Sequence, residues 1–459
     1  MFYGRKKELA EIKEALKTDR FESFLVYGRR RIGKTELVNE ALKDSSRLII
    51  FYECAKTSVE ENLYLFTMKI KKIFNEDHIS FNSFSALFSY LFNKSLSQDI
   101  VLFIDEFSFL LDEDFTIESK LAVVIDEYKN KTNLKLFVSG SYVSLMEKMI
   151  EYGSHSYGRY THIMLINTFD YYDSSLFYSN YTNEEKVMMY SVFGGVPFFN
   201  SLIDTKKSAL ENVFDLVIRR NSVLEHEISE MILAETNKIA NMNYLITMIA
   251  RGIVKYKDLS SNMASKGISK PDYLLGKLIE MDIVKKVFPI NDESNKKKTN
   301  YVFKDNLLNF YYKYIFFSPY QEFRENPKFF YENFIKDDFE KKYVPKKFEM
   351  ISMEYLTRAN YNYLIDPIIL KIGSYSYNDA SEKINREFDV VTLDKIGYIS
   401  YECKYTNSLV NINVIKEEEE QTSDSKLPFY KLGFISKNGF EEKIDKSKYN
   451  LIELNDMYK

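Results

Sequence analysis

Gly28-Arg29-Arg30-Arg31-Ile32-Gly33-Lys34-Thr35 follows the apolar run Phe24-Leu25-Val26-Tyr27 and precedes Glu36-Leu37-Val38-Asn39-Glu40-Ala41-Leu42. The pattern is G-x-x-x-x-G-K-T between a strand-like and a helix-like segment, the context of a phosphate-cradling loop. Gly28 and Gly33 let the backbone turn tightly, so that consecutive N–H groups face an anion. The helix that follows adds the positive end of its dipole. In such a loop Lys34 reaches the terminal phosphates and the Thr35 hydroxyl binds Mg²⁺. At least two of Arg29, Arg30 and Arg31 are expected at a solvated loop tip, because neighbouring side chains diverge.

A second signal stands downstream. Ile100-Val101-Leu102-Phe103-Ile104 is continuously apolar, as a parallel strand covered on both faces should be, and it ends in Asp105-Glu106. Carboxylates at that end of an open α/β sheet sit where ligands bind. Asp105 fits a Mg²⁺-holding role through water, and Glu106 is placed to orient or deprotonate an attacking water. A further strand, Leu134-Lys135-Leu136-Phe137-Val138, ends in Ser139-Gly140-Ser141. Ser139 could sense the γ-phosphate. The turn also reads as a plain helix cap, with Ser141 before Val143-Ser144-Leu145-Met146.

The chain has 459 residues, 45% of them hydrophobic, enough for about two to four globular domains. Its net charge of −4 argues against wholesale coating of nucleic acid. Cys54 and Cys403 are far apart, and the four histidines are scattered. No cysteine-paired zinc site follows, and a reducing compartment is expected. No apolar run approaches the ~18–20 residues of a membrane span, so no membrane contact and a cytoplasmic location are expected. A homo-oligomer is compatible with the sequence.

The middle of the chain changes grammar. Residues 183–240 show helical spacing of apolar residues, which suits a lid of the first domain. Tyr244 to Ala250, Tyr256 to Met263 and residues 270–280 then read as three helices, the last with Ser269 as N-cap and Pro271 in its first turn. Ile283 to Phe288 and Tyr301 to Phe303 read as two strands. Three helices and a hairpin are the winged-helix plan. Lys270 and Lys277 on the third helix, with Lys296, Lys297 and Lys298 in the wing, are candidate DNA contacts; a solvated loop is the alternative.

Residues 304–343 read as helical and lead into Phe348-Glu349-Met350-Ile351-Ser352-Met353-Glu354-Tyr355-Leu356. Asn385 to Leu393 and Tyr398 to Tyr405 then form an antiparallel hairpin over Asp394-Lys395-Ile396-Gly397. If Leu393 faces Tyr398, Asp389 falls opposite Glu402. Glu402 and Lys404 share one strand face, with Cys403 on the other. Asp389 and Glu402 can hold a divalent metal, and Lys404 can stabilise charge on a phosphate. The bland alternative is a surface hairpin with an ordinary Glu402–Lys404 ion pair. Glu417 to Glu420 read as the solvated start of a helix.

Two resemblances gather these signals. Phe2-Tyr3-Gly4-Arg5-Lys6-Lys7-Glu8-Leu9 resembles the F-x-G-R-x-x-E-L box of AAA+-like ATPases, specifically the archaeal-type ATPases of the STAND class. The loop at Gly28–Thr35, Asp105-Glu106 and Ser139-Gly140-Ser141 follow in that family's order. Tyr157-Gly158-Arg159 and Gly194-Gly195-Val196-Pro197 are similar to its G-R and G-G-x-P elements. The resemblance implies ATP rather than GTP, with Gly4 and Arg5 over the adenine and ribose. It also implies Arg159 as a γ-phosphate sensor and Pro197 as an adenine-side contact. A surface arginine and an inter-helix turn are the plain alternatives.

The D…E-x-K layout of Asp389, Glu402 and Lys404 resembles the PD-(D/E)XK nuclease superfamily, although Phe388 stands where the proline of its name would. That resemblance implies a further metal-holding acid on the preceding helix, best met by Glu349, with Glu354 as the alternative. The expected architecture is therefore α/β. Residues 1–175 form a P-loop ATPase domain, 176–240 a helical lid, 241–305 a winged-helix unit and 306–459 a restriction-endonuclease-like domain. The expected function is an ATP- and Mg²⁺-dependent ATPase coupled to a metal-dependent DNA nuclease. The alternatives are a signalling or assembly switch with a non-catalytic C-terminal domain, and a DNA-binding regulator.

Overall fold

A computed structural model of the chain describes residues 2–233, 239–268, 270–292, 299–379 and 384–459. The expectations placed on Ser269, Lys296, Lys297 and Lys298 lie outside these residues. The chain divides into two compact units, 1–168 and 169–459.

The first unit is a five-stranded sheet between helices. Its strands are β1 (Glu22–Tyr27), β2 (Leu48–Glu53), β3 (Ile100–Asp105), β4 (Lys135–Gly140) and β5 (His162–Leu165). They pair in the order β2-β3-β4-β1-β5, all parallel. β1, β3 and β4 are buried along their whole length, which is why their sequences are continuously apolar apart from their ends. β4 lies between β1 and β3, so Ser139 at its end is wedged between the loop after β1 and the carboxylates after β3.

The second unit is helical through its first half. Helices Asn183–Phe193 and Val223–Leu233 precede Ile239–Ala250, Tyr256–Ser265 and Asp272–Glu280. The last three are followed by an antiparallel pair, β6 (Val284–Val287) and β7 (Asn300–Phe303). The element order matches expectation, but helix Asp272–Glu280 starts later than read and takes Pro271 as its N-cap residue. After helix Asn306–Tyr314 comes the long helix Val344–Tyr361. It packs on a mixed sheet of β8 (Lys371–Asp379), β9 (Ile384–Leu393), β10 (Tyr398–Lys404), β11 (Phe429–Ser436) and β12 (Asn450–Glu453). The order is β12-β11-β10-β9-β8. β8, β9 and β10 are antiparallel neighbours, whereas β10, β11 and β12 run parallel. Helix Ile412–Asp424 makes the crossover from β10 to β11 that a parallel pair requires.

One continuous core joins this unit. Val187 and Phe193 of the first helix, Leu278, Phe310, Phe348, Tyr401 and Ile435 all belong to it. Gly195 shows how tightly the backbone packs there: a Cβ on it would lie 1.9 Å from the Phe169 carbonyl oxygen. Phe169 N–H in turn donates to Gly195 O at 2.8 Å. Among the described residues no helix is long and apolar enough to cross a membrane.

Candidate functional site

At the C-terminal edge of the first sheet, the loop between β1 and helix Lys34–Leu42 takes the shape its glycines allow. Gly28 has φ +152°, and a Cβ there would sit 2.3 Å from the backbone oxygen of Ile166. Arg31 and Gly33 have φ +65° and +86°, the left-handed turns with which such a loop can aim its N–H groups at an anion. Lys34 is buried, and its ammonium donates to Gly28 O at 2.9 Å and Arg29 O at 3.3 Å. Burial pulls its pKa below the ordinary lysine value, against the opposing pull of Glu106 and Asp105. A desolvated cation facing neutral carbonyls is a strong attractor for an anion.

Asp105 is the hub. Its Oδ2 accepts the Thr35 hydroxyl at 2.6 Å, and its Oδ1 accepts the Glu106 N–H at 3.0 Å and the Ser139 hydroxyl. The Thr35 and Asp105 oxygens are thus side by side, the donor chemistry that suits a hard cation such as Mg²⁺. Ser139 touches the carboxylate, which the sheet order made possible. Glu106 stands in left-handed backbone at φ +50°. Its Oε2 accepts from the Ser141 hydroxyl at 2.5 Å, from Ser141 N–H at 3.2 Å and from the Ser108 hydroxyl at 3.5 Å. Ser141 therefore orients Glu106 instead of capping a helix; the N-cap residue of helix Val143–Lys148 is Tyr142. Nothing in the local sequence announces this pairing, because the two residues meet across β3 and β4.

Gly4 and Arg5 both adopt left-handed φ, +63° and +54°. The Arg5 guanidinium donates to Asn167 O, just beyond β5, and lies 3.5 Å from Glu8. Ile166 N–H bonds Tyr27 O, so the box stands at the same sheet edge as the loop. Arg159 does not. Ser23, near the start of β1, donates to the Arg159 backbone oxygen at 2.7 Å, which puts Arg159 at the opposite end of the strands. About 16 Å of strand separates it from the loop. Its guanidinium pairs with Asp126 at 2.5 Å on the surface, so the structure gives it the plain surface role. Pro197 opens helix Pro197–Ser201 in the second unit.

The second candidate site is on the C-terminal sheet. The register Tyr398↔Leu393 is as expected, but the ladder ends at Tyr401↔Val390, one pair short of Glu402 and Asp389. On its other side β9 advances from Val391 to Phe388 while β8 advances only from Gly373 to Tyr375. This bulge releases Asp389 from both ladders. Its Oδ2 accepts the N–H of Cys403 at 3.0 Å. Burial, then Glu402 and Glu349, push the Asp389 carboxyl up to about 8. Burial likewise raises Glu349, against its ion pair with Lys346 at 2.7 Å. Glu402 is paired with Lys404 at 2.5 Å. Against the pull of burial, Glu402 holds the Lys404 ammonium above its ordinary pKa.

Three acids and two lysines thus occupy one neighbourhood. Among the described residues, no three His, Cys, Asp or Glu side chains stand close enough to form a metal site as they are placed. The two lysines hold Glu349 and Glu402 in ion pairs. The donor chemistry, all carboxylate oxygen, suits Mg²⁺ or Mn²⁺.

The two candidates for the acid on the long helix separate cleanly. Glu349 faces Asp389 and Glu402. Glu354 accepts Tyr171 N–H and the Tyr190 hydroxyl, each at 2.9 Å, and is a half-buried structural acceptor. The reading of Glu417 to Glu420 as a solvated helix start needs correction. The helix begins at Ile412 with Asn411 as its cap, and Glu418 lies one turn beyond buried Ile415, on its face. Glu418 accepts the Ser400 hydroxyl at 2.7 Å, and burial, then Glu402, raise its carboxyl to about 7. Its signal was the helical phase set by Ile415, masked by the run of glutamates. On helix Asp272–Glu280, Lys277 is paired with Glu280 at 2.9 Å, which weakens its case as a phosphate contact.

Residues 2–199 match the model of an ATPase domain predominantly from Archaea. Residues 311–421 match a family of archaeal and bacterial proteins of unknown function. An uncharacterized protein of Methanocaldococcus jannaschii is 28% identical over 396 residues, 86% of this chain and 84% of that one. Among solved structures, the Walker-type ATPase of Pyrococcus abyssi is similar with a TM-score of 0.48 and 18% identity, covering 68% of this chain and 96% of that one. The Aeropyrum pernix ORC2 protein, solved in its ADPNP–ADP complexes, is similar with a TM-score of 0.45 and 12% identity, covering 70% and 93%. The family match runs past Thr168 to Phe199, so it includes Gly194-Gly195-Val196-Pro197. The chain carries an archaeal-type ATPase domain over residues 2–199, ahead of a segment from a family of unknown function.

Proposed function

We propose that the chain is an ATP-driven switch of the STAND type, coupled through a winged-helix unit to a metal-dependent DNA nuclease domain. The carrying observation for the switch is the Thr35–Asp105–Ser139 network beside a buried Lys34. Lys34 and the loop N–H groups would hold the phosphates, and Thr35 and Asp105 would hold Mg²⁺. Glu106, fixed by Ser141, would take a proton from the attacking water. Replacing Lys34 by Ala should abolish ATP binding; unchanged affinity would end this assignment.

For the second domain, the support is the bulge that brings Asp389 beside Glu402 and Glu349, with Lys404 on the same strand. Asp389 and Glu402, with Glu349, would hold the ion. A bound divalent ion would polarise the scissile phosphate and acidify a water. Lys404 would leave Glu402 and neutralise charge growing on the phosphoryl oxygens. The helix–β–β–β–helix–β order and the mixed sheet support a nuclease-like fold, which a non-catalytic interaction domain would share. The test compares Mg²⁺- or Mn²⁺-dependent DNA cleavage, with and without ATP, by the parent, Asp389→Ala and Lys404→Ala. Equal cleavage by all three, or none by the parent, would leave the non-catalytic switch.

A further inference from the structure

Helix Asn183–Phe193 belongs to the ATPase domain by sequence and to the second unit by packing. It falls within residues 2–199, which match the ATPase family, and Gly194-Gly195-Val196-Pro197 follows it directly. Yet its Val187 and Phe193 share the second unit's core with Phe348 of the long helix and Tyr401 of β10. A piece of the ATPase domain is thus packed among the elements that carry Glu349, Glu402 and Lys404.

Polar contacts near both ends of the helix fix how it sits there. Towards its C-terminal end, Tyr190 is held twice. Its carbonyl oxygen accepts from the Asn306 side-chain amide at 2.8 Å, and the buried Lys347 ammonium donates to the Asn306 side-chain oxygen, also at 2.8 Å. The Tyr190 hydroxyl donates to Glu354 at 2.9 Å. Lys347 and Glu354 both belong to the long helix, and Glu349 stands between them in it. Asn306 also abuts the glycine turn: a Cβ on Gly194 would lie 3.3 Å from the Asn306 Cβ. At the N-terminal end, Glu184 pairs with Lys437 at 2.6 Å. Lys437 N–H in turn donates to the Lys404 backbone oxygen at 2.9 Å.

One helix therefore grips the carboxylate site from two sides, through the helix that bears Glu349 and through the end of β10 at Lys404. Directional bonds fix this register more strictly than apolar contact does. A slip of about 1 Å opens a hydrogen bond and leaves a buried amide or ammonium unpaired, which is costly. The 11 residues of the helix form a rod about 16 Å long, so a displacement at the glycine turn reaches both grips.

We propose that helix Asn183–Phe193 transmits the nucleotide state of the ATPase domain to the carboxylate site, with Tyr190 and Glu184 as positioning residues for Glu349 and Lys404. The proposal rests on the ATP-switch reading above. The test is hydrogen–deuterium exchange of the full chain, read by mass spectrometry with and without a non-hydrolysable ATP analogue and Mg²⁺. Peptides covering residues 28–35 report binding. In the parent, exchange in peptides 346–356 and 398–405 should change with them, by about fivefold or more. Glu184→Arg turns the pair with Lys437 into a repulsion and should remove the response of 398–405 alone. Tyr190→Phe combined with Lys347→Met should remove that of 346–356 alone. Glu184 is exposed, and the other two changes nearly keep side-chain volume, so analogue affinity and far-UV circular dichroism should match the parent. A parent whose 28–35 peptides respond while both distant peptides do not would overturn the proposal. So would variants that keep the parent's distant response. With no response at 28–35 either, the ATP-switch reading itself fails and takes the proposal with it. Distant responses in a chain that cleaves no DNA would sustain the transmission and end the nuclease reading.

Discussion

Glu106 is the residue whose perturbation separates strain from chemistry. It sits at φ +50°, in left-handed backbone, with its carboxylate held by Ser141. A side-chain-bearing residue in that region costs about 1–2 kcal/mol through the approach of Cβ to the backbone. Glycine escapes this cost but loses about 0.5–1 kcal/mol to the greater freedom of the unfolded chain. Glu106→Ala and Glu106→Gly lose the same hydrogen bonds, so their difference isolates the Cβ. At an ordinary position Ala is the more stable; here Gly should be, by about 0.5–1 kcal/mol. The assay is urea denaturation of both variants, followed by circular dichroism through the first unit's transition. In single-turnover measurements both, and Glu106→Gln, should bind ATP but hydrolyse it about 10²–10⁴-fold more slowly. An Ala variant as stable as the Gly variant would refute the strain argument. Hydrolysis by Glu106→Gln at the parent rate would refute the role given to the carboxylate.

Three further outcomes follow from the geometry. Thr35→Val removes the 2.6 Å bond to Asp105. It should cost about 1.5–3 kcal/mol and remove the enhancement of ATP binding by Mg²⁺, read by titration with and without EDTA. Glu418 has a folded-state carboxyl raised to about 7. The folded chain therefore holds this proton where the unfolded chain has lost it, so its contribution to stability falls as pH rises from the ordinary glutamate range through about 7. Glu418→Gln should flatten that part of the pH dependence, seen as a smaller drop in urea midpoint between acidic and mildly alkaline buffer. Gly195→Ala should destabilise the second unit by more than about 3 kcal/mol, since its Cβ would meet backbone that has nowhere to move; thermal melting checks this.

In the first sheet, the strands legible in the sequence are the ones buried on both faces. β1, β3 and β4 are unbroken apolar runs because helices cover both sides of the sheet. β2 and β5 are edge strands with mixed burial, although Leu48-Ile49-Ile50-Phe51-Tyr52 and Ile163-Met164-Leu165 are apolar runs too. The hairpin register was legible because a four-residue turn fixes Leu393 against Tyr398. The bulge at Asp389 was not, because it depends on how β8 pairs on the far side. Arg159 shows the cost of placing a residue by motif alone: its guanidinium pairs with Asp126 at the wrong end of the sheet.

By itself, the sequence determined a phosphate-binding loop, the paired carboxylates after a buried strand, and a D…E-x-K strand pair. Each is local, set by spacing along a single element or turn. Tertiary structure alone decided that Ser139 touches Asp105, that Ser141 aims Glu106 and that Glu349, not Glu354, joins Asp389. It also decided that Glu418 turns inward. The reason is physical. These contacts join residues from different strands and helices, and the order in which elements pack is fixed by burial of the whole core, not by any one segment's pattern.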